Sequence, residues 1–264
     1  MNIQIHNRYN KLQELILCYP VNFSIDKKTI NKDLMFEQYN KFINTLSDEK
    51  VITYFLDPKF GISQVYTRDI AFVIDDILFI GKMSETSRNE EFKALEEFIT
   101  DKKIKIKRFT NYIEGGDVIV HNNVIFVGLS KRTSIDAISE LRNFLLEENK
   151  KYEVIPVNFN KSEMLHLDCV FNVVSNDICV VSDYLYDKNM FNKYFKKRYY
   201  VSKAEAKELA INFLLLENNK LISSSQKLCE LLSKDGIKTI YVDYSEIIKG
   251  GGSFTCSTLP ILSE

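Results

Sequence analysis

Proline occurs only four times in 264 residues, and no Gly/Ser-rich stretch interrupts the chain. The sequence therefore offers no linker at which to divide it, and one domain spanning residues 1–264 is expected. Cysteine is present five times, an odd number, widely spaced and without a Cys-x-x-Cys pair. That pattern argues against a disulfide framework and a zinc knuckle and leaves reduced thiols. Long apolar runs are missing too: nothing approaches the roughly 20 residues of a membrane helix, and Met1–Tyr9 lacks the charged and apolar regions of a signal peptide. A cytoplasmic protein with no membrane partner is the expectation. Nor is there an excess of charge of either sign, since 35 Lys and Arg stand against 36 Asp and Glu. Without a basic stripe interleaved with aromatics, nucleic acid is a poor partner.

What the chain does have is a repeat. Four segments read as paired strands around a polar turn: Ala71–Gly81 around Asp75-Asp76, Asp117–Gly128 around His121-Asn122-Asn123, Val170–Ser182 around Asn176-Asp177, and Asn212–Ser223 around Asn218-Asn219. A helical pattern follows each hairpin, at Ser87–Thr100, Thr133–Glu148, Asp187–Phe195 and Ser224–Lys234. A short strand follows each helix, at Ile104–Phe109, Glu153–Val157, Tyr199–Ser202 and Ile237–Val242. The unit is ββαβ with a period of about 40 to 50 residues. A fifth unit is completed by the chain ends: Leu12–Tyr19, helical Leu34–Leu46, Val51–Leu56 and Phe254–Leu262. The fold class expected is therefore α/β, five units in a closed pseudo-fivefold ring. Equivalent turns would then surround one central axis, a natural place for a small polar ligand.

Glycine is scarce, yet five of the nine fall in two clusters, Glu114-Gly115-Gly116-Asp117 and Gly250-Gly251-Gly252-Ser253. Each is either a plain turn or a loop that wraps a ligand. The second runs into Phe254-Thr255-Cys256, which delivers a thiol from a glycine loop, where backbone donors or a cation can favour its thiolate. Cys18, Cys169, Cys179 and Cys229 lie in apolar runs and read as inert buried thiols. Three histidines leave little from which to build a metal site, and His6 and His121 read as surface residues. His166 differs, because Leu165-His166-Leu167-Asp168 alternates as a strand does and would set His166 and Asp168 on one face. Asp69, within Tyr66-Thr67-Arg68-Asp69, and Glu114 precede hairpins. Surface pairing accounts for either alone, but with Asp168 they put carboxylates at corresponding positions of the ring. Such an array attracts a planar cation, and a guanidinium pairs with carboxylates two donors at a time.

The five-unit repeat with Tyr66-Thr67-Arg68-Asp69, Glu114-Gly115-Gly116-Asp117, His166-Leu167-Asp168 and the terminal Gly250-Gly251-Gly252-Ser253-Phe254-Thr255-Cys256 resembles the guanidino-group-modifying enzymes of the pentein superfamily. These include arginine deiminases, dimethylarginine dimethylaminohydrolases and amidinotransferases. The resemblance runs from Leu12 to Leu262 and implies a pentein α/β propeller. It also implies a small guanidino substrate, arginine or an N-substituted arginine, and hydrolysis to citrulline plus ammonia or an amine. By the same resemblance Cys256 attacks the guanidinium carbon, His166 is the acid/base and Glu114 orients the imidazole. Asp69 and Asp168 hold the guanidinium nitrogens, and Arg88 and Arg132 take the substrate's α-carboxylate. Arg68 and Gly252 are counted with the substrate-binding residues. No cofactor and no metal are implied.

Within the family, His166-Leu167-Asp168-Cys169-Val170-Phe171 and Gly128-Leu129-Ser130-Lys131-Arg132-Thr133-Ser134 are similar to arginine deiminase, whereas the compact length matches the dimethylarginine hydrolases. Relatives that hydrolyse arginine to ornithine carry Asn where Asp69 stands. Transfer of the amidino group to an amine, and non-catalytic binding of a guanidino ligand, are the alternatives. Assembly into homo-oligomers and the resting protonation of Cys256 are left open by the sequence.

Overall fold

The computed structural model describes residues 1–25 and 29–264. The described residues form five three-stranded sheets. In the first, Ala71–Ile74 runs antiparallel to Ile77–Ile80, which runs parallel to Lys105–Arg108. The second joins Val118–His121, Val124–Gly128 and Glu153–Val157, and the third Phe171–Val173, Ile178–Ser182 and Lys197–Val201, in the same sense. The fourth joins Leu214–Glu217, Lys220–Ser223 and Lys238–Tyr241. The terminal sheet repeats that order from both ends of the chain: Leu259–Ser263 lies antiparallel to Leu12–Cys18, which lies parallel to Ile52–Leu56. The expected fifth unit is thus present.

The turns of three hairpins carry a residue in the left-handed region, Asp75 (φ 51°), Asn122 (φ 53°) and Asn219 (φ 62°). Asp and Asn tolerate this conformation better than other non-glycine residues, which is why they stand there. The parallel connections are helices at Lys32–Asp48, Phe92–Ile99, Ile135–Glu147 and Gln226–Ser233. Asn31, Ser134 and Ser225 cap three of them through side-chain oxygens. The third unit departs from expectation. Asp187–Phe195 yields only a five-residue 3-10 helix, Asn189–Lys193. Phe191 stacks on Phe171 with ring centroids 4.1 Å apart, and that contact, rather than a regular helix, anchors the crossover.

The core lies between the sheets rather than within one. Alternate residues of each strand point to opposite faces, so Leu15 and Leu17 pack with Leu214 and Leu216 of the fourth unit, while Ile16 and Cys18 pack with Ala71 and Val73 of the first. Phe72 and Ile74 pack with Val118 and Val120, and a third-to-second and third-to-fourth cluster contains Ile119, Phe171, Val173, Phe213 and Leu215. These apolar clusters couple every unit to its two neighbours and so close a ring.

Polar groups stitch the same seams at the segments preceding each hairpin. Arg68 N–H donates to Cys256 O at 3.0 Å, and the Arg68 guanidinium donates to Gly115 O and Val118 O at 3.0 and 2.7 Å. Leu167 N–H donates to Asp117 Oδ1 (2.9 Å), the Asn172 amide donates to Ile211 O and Phe213 O (2.8 and 3.0 Å), and Thr255 donates to Phe213 O.

Candidate active site

Every unit contributes to the site, always from the few residues ahead of the hairpin's first strand. Asp69 precedes Ala71, Glu114 precedes Val118, His166 and Asp168 precede Phe171, Asn212 precedes Leu214, and Cys256 precedes Leu259. Ring closure therefore gathers residues 187 positions apart. His166 Nε2 lies 2.8 Å from Glu114 Oε2, and its Nδ1 lies 3.7 Å from Asp69 Oδ1. The imidazole and the Cys256 thiol line the same cavity. Cys256 Sγ lies 3.9 Å from both oxygens of Asp168. All of these side chains are buried.

His166 and Asp168 do converge on the thiol, but not along a strand. Leu167–Cys169 is a 3-10 turn and the strand begins at Phe171. The Leu167 amide is held by Asp117, which fixes the turn that carries the two side chains. His166 lines the cavity above the thiol, and Asp168 sits against the sulfur without forming cavity wall.

That cavity has a volume of about 440 Å³, and Asp69, Arg88, Arg132, His166, Gly252 and Cys256 are among its walls. Gly251, at φ 93°, supplies a left-handed turn in the loop that carries Cys256. Gly116 is needed for close approach, since a Cβ there would stand 2.7 Å from His166 Nδ1. Arg68, counted with substrate-binding residues from the sequence, faces away, its donors taken by the carbonyls of Gly115 and Val118. Arg88 lines the cavity with its donors already engaged: Nη1 reaches Asp69 Oδ2 at 2.6 Å and Nη2 reaches Glu91 Oε2 at 2.7 Å. Arg132 Nη1 has no hydrogen-bond partner and stands 3.7 Å from Glu114 Oε1 and 3.8 Å from Glu85 Oε2.

The electrostatics favour a cationic guest. Burial lowers the pKa of His166, but the charge of Asp69, hydrogen bonds with Cys256 and Glu114, and the charge of Asp117 outweigh it and hold the imidazole well above its ordinary value. Burial raises Asp168, only partly offset by His166 and Arg8. Burial likewise raises Asp117 to about 6, against the pull of His166. Asp69 Oδ1 and Glu114 Oε1 are buried acceptors without a hydrogen bond, their charged neighbours standing 3.7 Å away, an uncommon condition unless a ligand supplies the donors. Ligand atoms of Asp69, Glu114 and His166 lie within 4.8 Å of one another, as do those of Asp168, Cys169 and Cys256, so either set could hold a metal ion.

Two functional residues escaped the sequence reading. Buried Asn212 accepts through Oδ1 from the amides of Ser253 and Cys256, at 3.0 and 3.1 Å, and so fixes the thiol-bearing loop. The repeat itself could have found it, since Asn212 occupies in the fourth unit the position of Asp69 in the first. Asp117 accepts from Ser130, Thr133 and Leu167, joining the Glu114 turn to the Arg132 loop and to His166. Its place beside Gly116 was visible, but its partners were not. His121, read as a surface residue, is buried against Phe195 (centroids 4.4 Å apart), and burial lowers its pKa to about 4. The five cysteines are all free. Among the described residues no helix is long and apolar enough to cross a membrane.

Comparison with known proteins bears on the family and the fold. A family model described as "N,N dimethylarginine dimethylhydrolase, eukaryotic" matches residues 21–263. The uncharacterized protein YkgA of Bacillus subtilis (strain 168) is 32% identical, covering 96% of this chain and 93% of its own. The arginine deiminase of Limosilactobacillus reuteri (strain DSM 20016) is 28% identical over 64% of this chain, but the match spans only 44% of that enzyme. Among solved structures, SxtG, an amidinotransferase from Microseira wollei, superposes with a TM-score of 0.85 at 17% identity, covering 99% of this chain and 97% of that one. The extent of the family match and the shared five-unit fold place the sequence plainly: this chain belongs to the dimethylarginine dimethylhydrolase family of guanidino-group-modifying penteins.

Proposed function

We propose that residues 1–264 form a single catalytic domain, a cysteine-dependent hydrolase of arginine or an N-substituted arginine. It would release citrulline with ammonia or an amine. The observation that carries this reading is the meeting of Cys256 and His166 at one cavity among Asp69, Glu114 and Asp168.

Asp69 Oδ1, at the cavity wall, accepts N–H donors of the guanidinium, and Asp168, beside the sulfur, reaches the guanidinium once it is seated over the thiol, leaving the central carbon open above Cys256. Gly252 packs beside Cys256 and leaves room for the approach. Arg132, whose Nη1 has no hydrogen-bond partner, takes the substrate's α-carboxylate. Arg88 joins it at the cavity wall and holds Asp69 in place. Substrate charge offsets the carboxylates around the sulfur and so favours the thiolate.

The thiolate attacks the guanidinium carbon to form a C–S bond and a tetrahedral adduct. The C–N bond then breaks as His166 gives its proton to the departing amine, leaving a thiouronium on Cys256. Neutral His166 takes a proton from water, the hydroxide adds to the same carbon, and C–S cleavage yields the ureido product and regenerates the thiolate. Glu114, at 2.8 Å, keeps the imidazole oriented and favours its charged form.

The test is incubation with arginine, methylated arginines and agmatine, with assays for citrulline, ammonia and methylamines, and mass spectrometry of the trapped adduct on Cys256. Silence on every guanidino compound would sink the reading. Label found on an added amine instead of water would assign amidino transfer.

A further inference from the structure

A second cavity, of about 50 Å³, lies directly behind the Cys256 segment and shares no wall residue with the first. Arg8, Arg68, Asn7, Thr255, Thr258 and Ser263 supply its polar wall, and no carboxylate lines it. Arg8 Nη2 donates to Thr255 Oγ1 at 3.0 Å, but Arg8 Nη1 is buried without a hydrogen-bond partner, as is Ser263 Oγ. Among the described residues neither guanidinium has a carboxylate oxygen within the 4.0 Å of an ion pair. A buried cation normally has a counter-charge, because desolvation of an unpaired charge is costly.

Two guanidinium groups, two donors without acceptors and a wall without acid together describe a receptor for negative charge. We infer that this cavity binds one small monovalent inorganic anion of chloride size, held by Arg8 Nη1 and Ser263 Oγ beside Arg68. The volume admits a single-atom anion with a water or two, and is small against any phosphorylated metabolite. The charge environment agrees: burial and then the neighbouring charge of Arg68 bring Arg8 down to about 9, while the charges of Asp168 and Cys256 compensate only in part. An anion in the cavity supplies what they do not.

The probe is bromide or chloride on the full chain. At constant ionic strength, replacing sodium gluconate with sodium chloride or bromide should raise Tm saturably, by about 2–4 °C at full occupancy. Arg8→Met should abolish the increment, while Arg132→Gln, in the other cavity, should keep it. Anomalous diffraction from crystals of the unaltered protein grown in bromide should place a peak beside Arg8 Nη1 and Ser263 Oγ. Equal Tm in both salts with water alone at that position would overturn the inference, as would bromide only at surface arginines or in the Cys256 cavity. If Arg8→Met does not fold, the bromide map of the unaltered protein decides by itself.

Discussion

Consecutive residues of the same two segments face two different cavities: Arg68 and Thr255 line the small one, Asp69 and Cys256 the large one. The small cavity presents guanidinium groups and no acid. The large one sets the Asp69 carboxylate, one oxygen of which has no hydrogen bond, beside a thiol and an imidazole. Adjacent side chains of the short Thr67–Ile70 helix, and of the turn that carries Cys256, leave the backbone in different directions, so the same two stretches of backbone build two sites of opposite charge preference. Burial sharpens the contrast, since an unpaired group in either place lacks the water that would level the two.

Substitutions in the large cavity should break this contrast most severely. Cys256→Ser should lower turnover by roughly four orders of magnitude or more while leaving Tm nearly unchanged, because an alcohol cannot replace the thiolate nucleophile. Turnover by that variant at the original rate would refute the mechanism. Glu114→Gln should lower turnover by about 10²-fold or more, with a second signature in the pH profile. His166 is raised in the folded state, so its charge persists above its ordinary pKa and is lost as pH rises through the folded value. Removing Glu114 brings that folded value down, and the alkaline limb of the rate profile should move to lower pH. The stability that His166 contributes, complete below its unfolded pKa, should likewise be lost at lower pH in the variant than in the parent protein.

Smaller effects sharpen the comparison. Asn212→Ala leaves the Ser253 and Cys256 amides without their acceptor and should cost about 1–3 kcal/mol, measured by urea unfolding. Arg132→Gln should raise KM about tenfold or more with little change in kcat, since it removes a contact to a part of the substrate that does not react. Cys169→Ala should be the mildest. Its thiol lies next to Asp168 and Cys256, but hydrogen bonding to Cys256, then burial, raise its pKa well above the ordinary value. Turnover should stay within about a few-fold, because a buried neutral thiol is inert. Alkylation mapping should label Cys256 and spare Cys169.

The hairpins were legible because their turns need residues that tolerate positive φ, and Asp75, Asn122 and Asn219 announce them. The crossovers of the first, second and fourth units were legible from their apolar spacing. The third was not, because stacking between Phe171 and Phe191 is a long-range contact that no local pattern encodes. His121 reads as a turn residue in sequence, yet Phe195 from the next unit covers it. The strand assigned to Leu165–Asp168 gave way to a turn for the same kind of reason: the Asp117 carboxylate, 50 positions away, captures the Leu167 amide.

What the sequence determined by itself was the repeat, its closure through the two chain ends, and the chemical types collected ahead of each hairpin: acid, acid, imidazole with acid, and thiol. These follow from periodicity and from backbone preferences that act within a few residues. Only the tertiary structure decided which way each side chain turns once the ring closes. Closure brings Arg68 to the carbonyls of Gly115 and Val118 and Arg88 to Asp69, and leaves Arg132 Nη1 without a hydrogen bond and Arg8 buried without a carboxylate. Pairing of charges is settled by proximity in a low-dielectric interior, and proximity across a ring is not written in neighbouring residues.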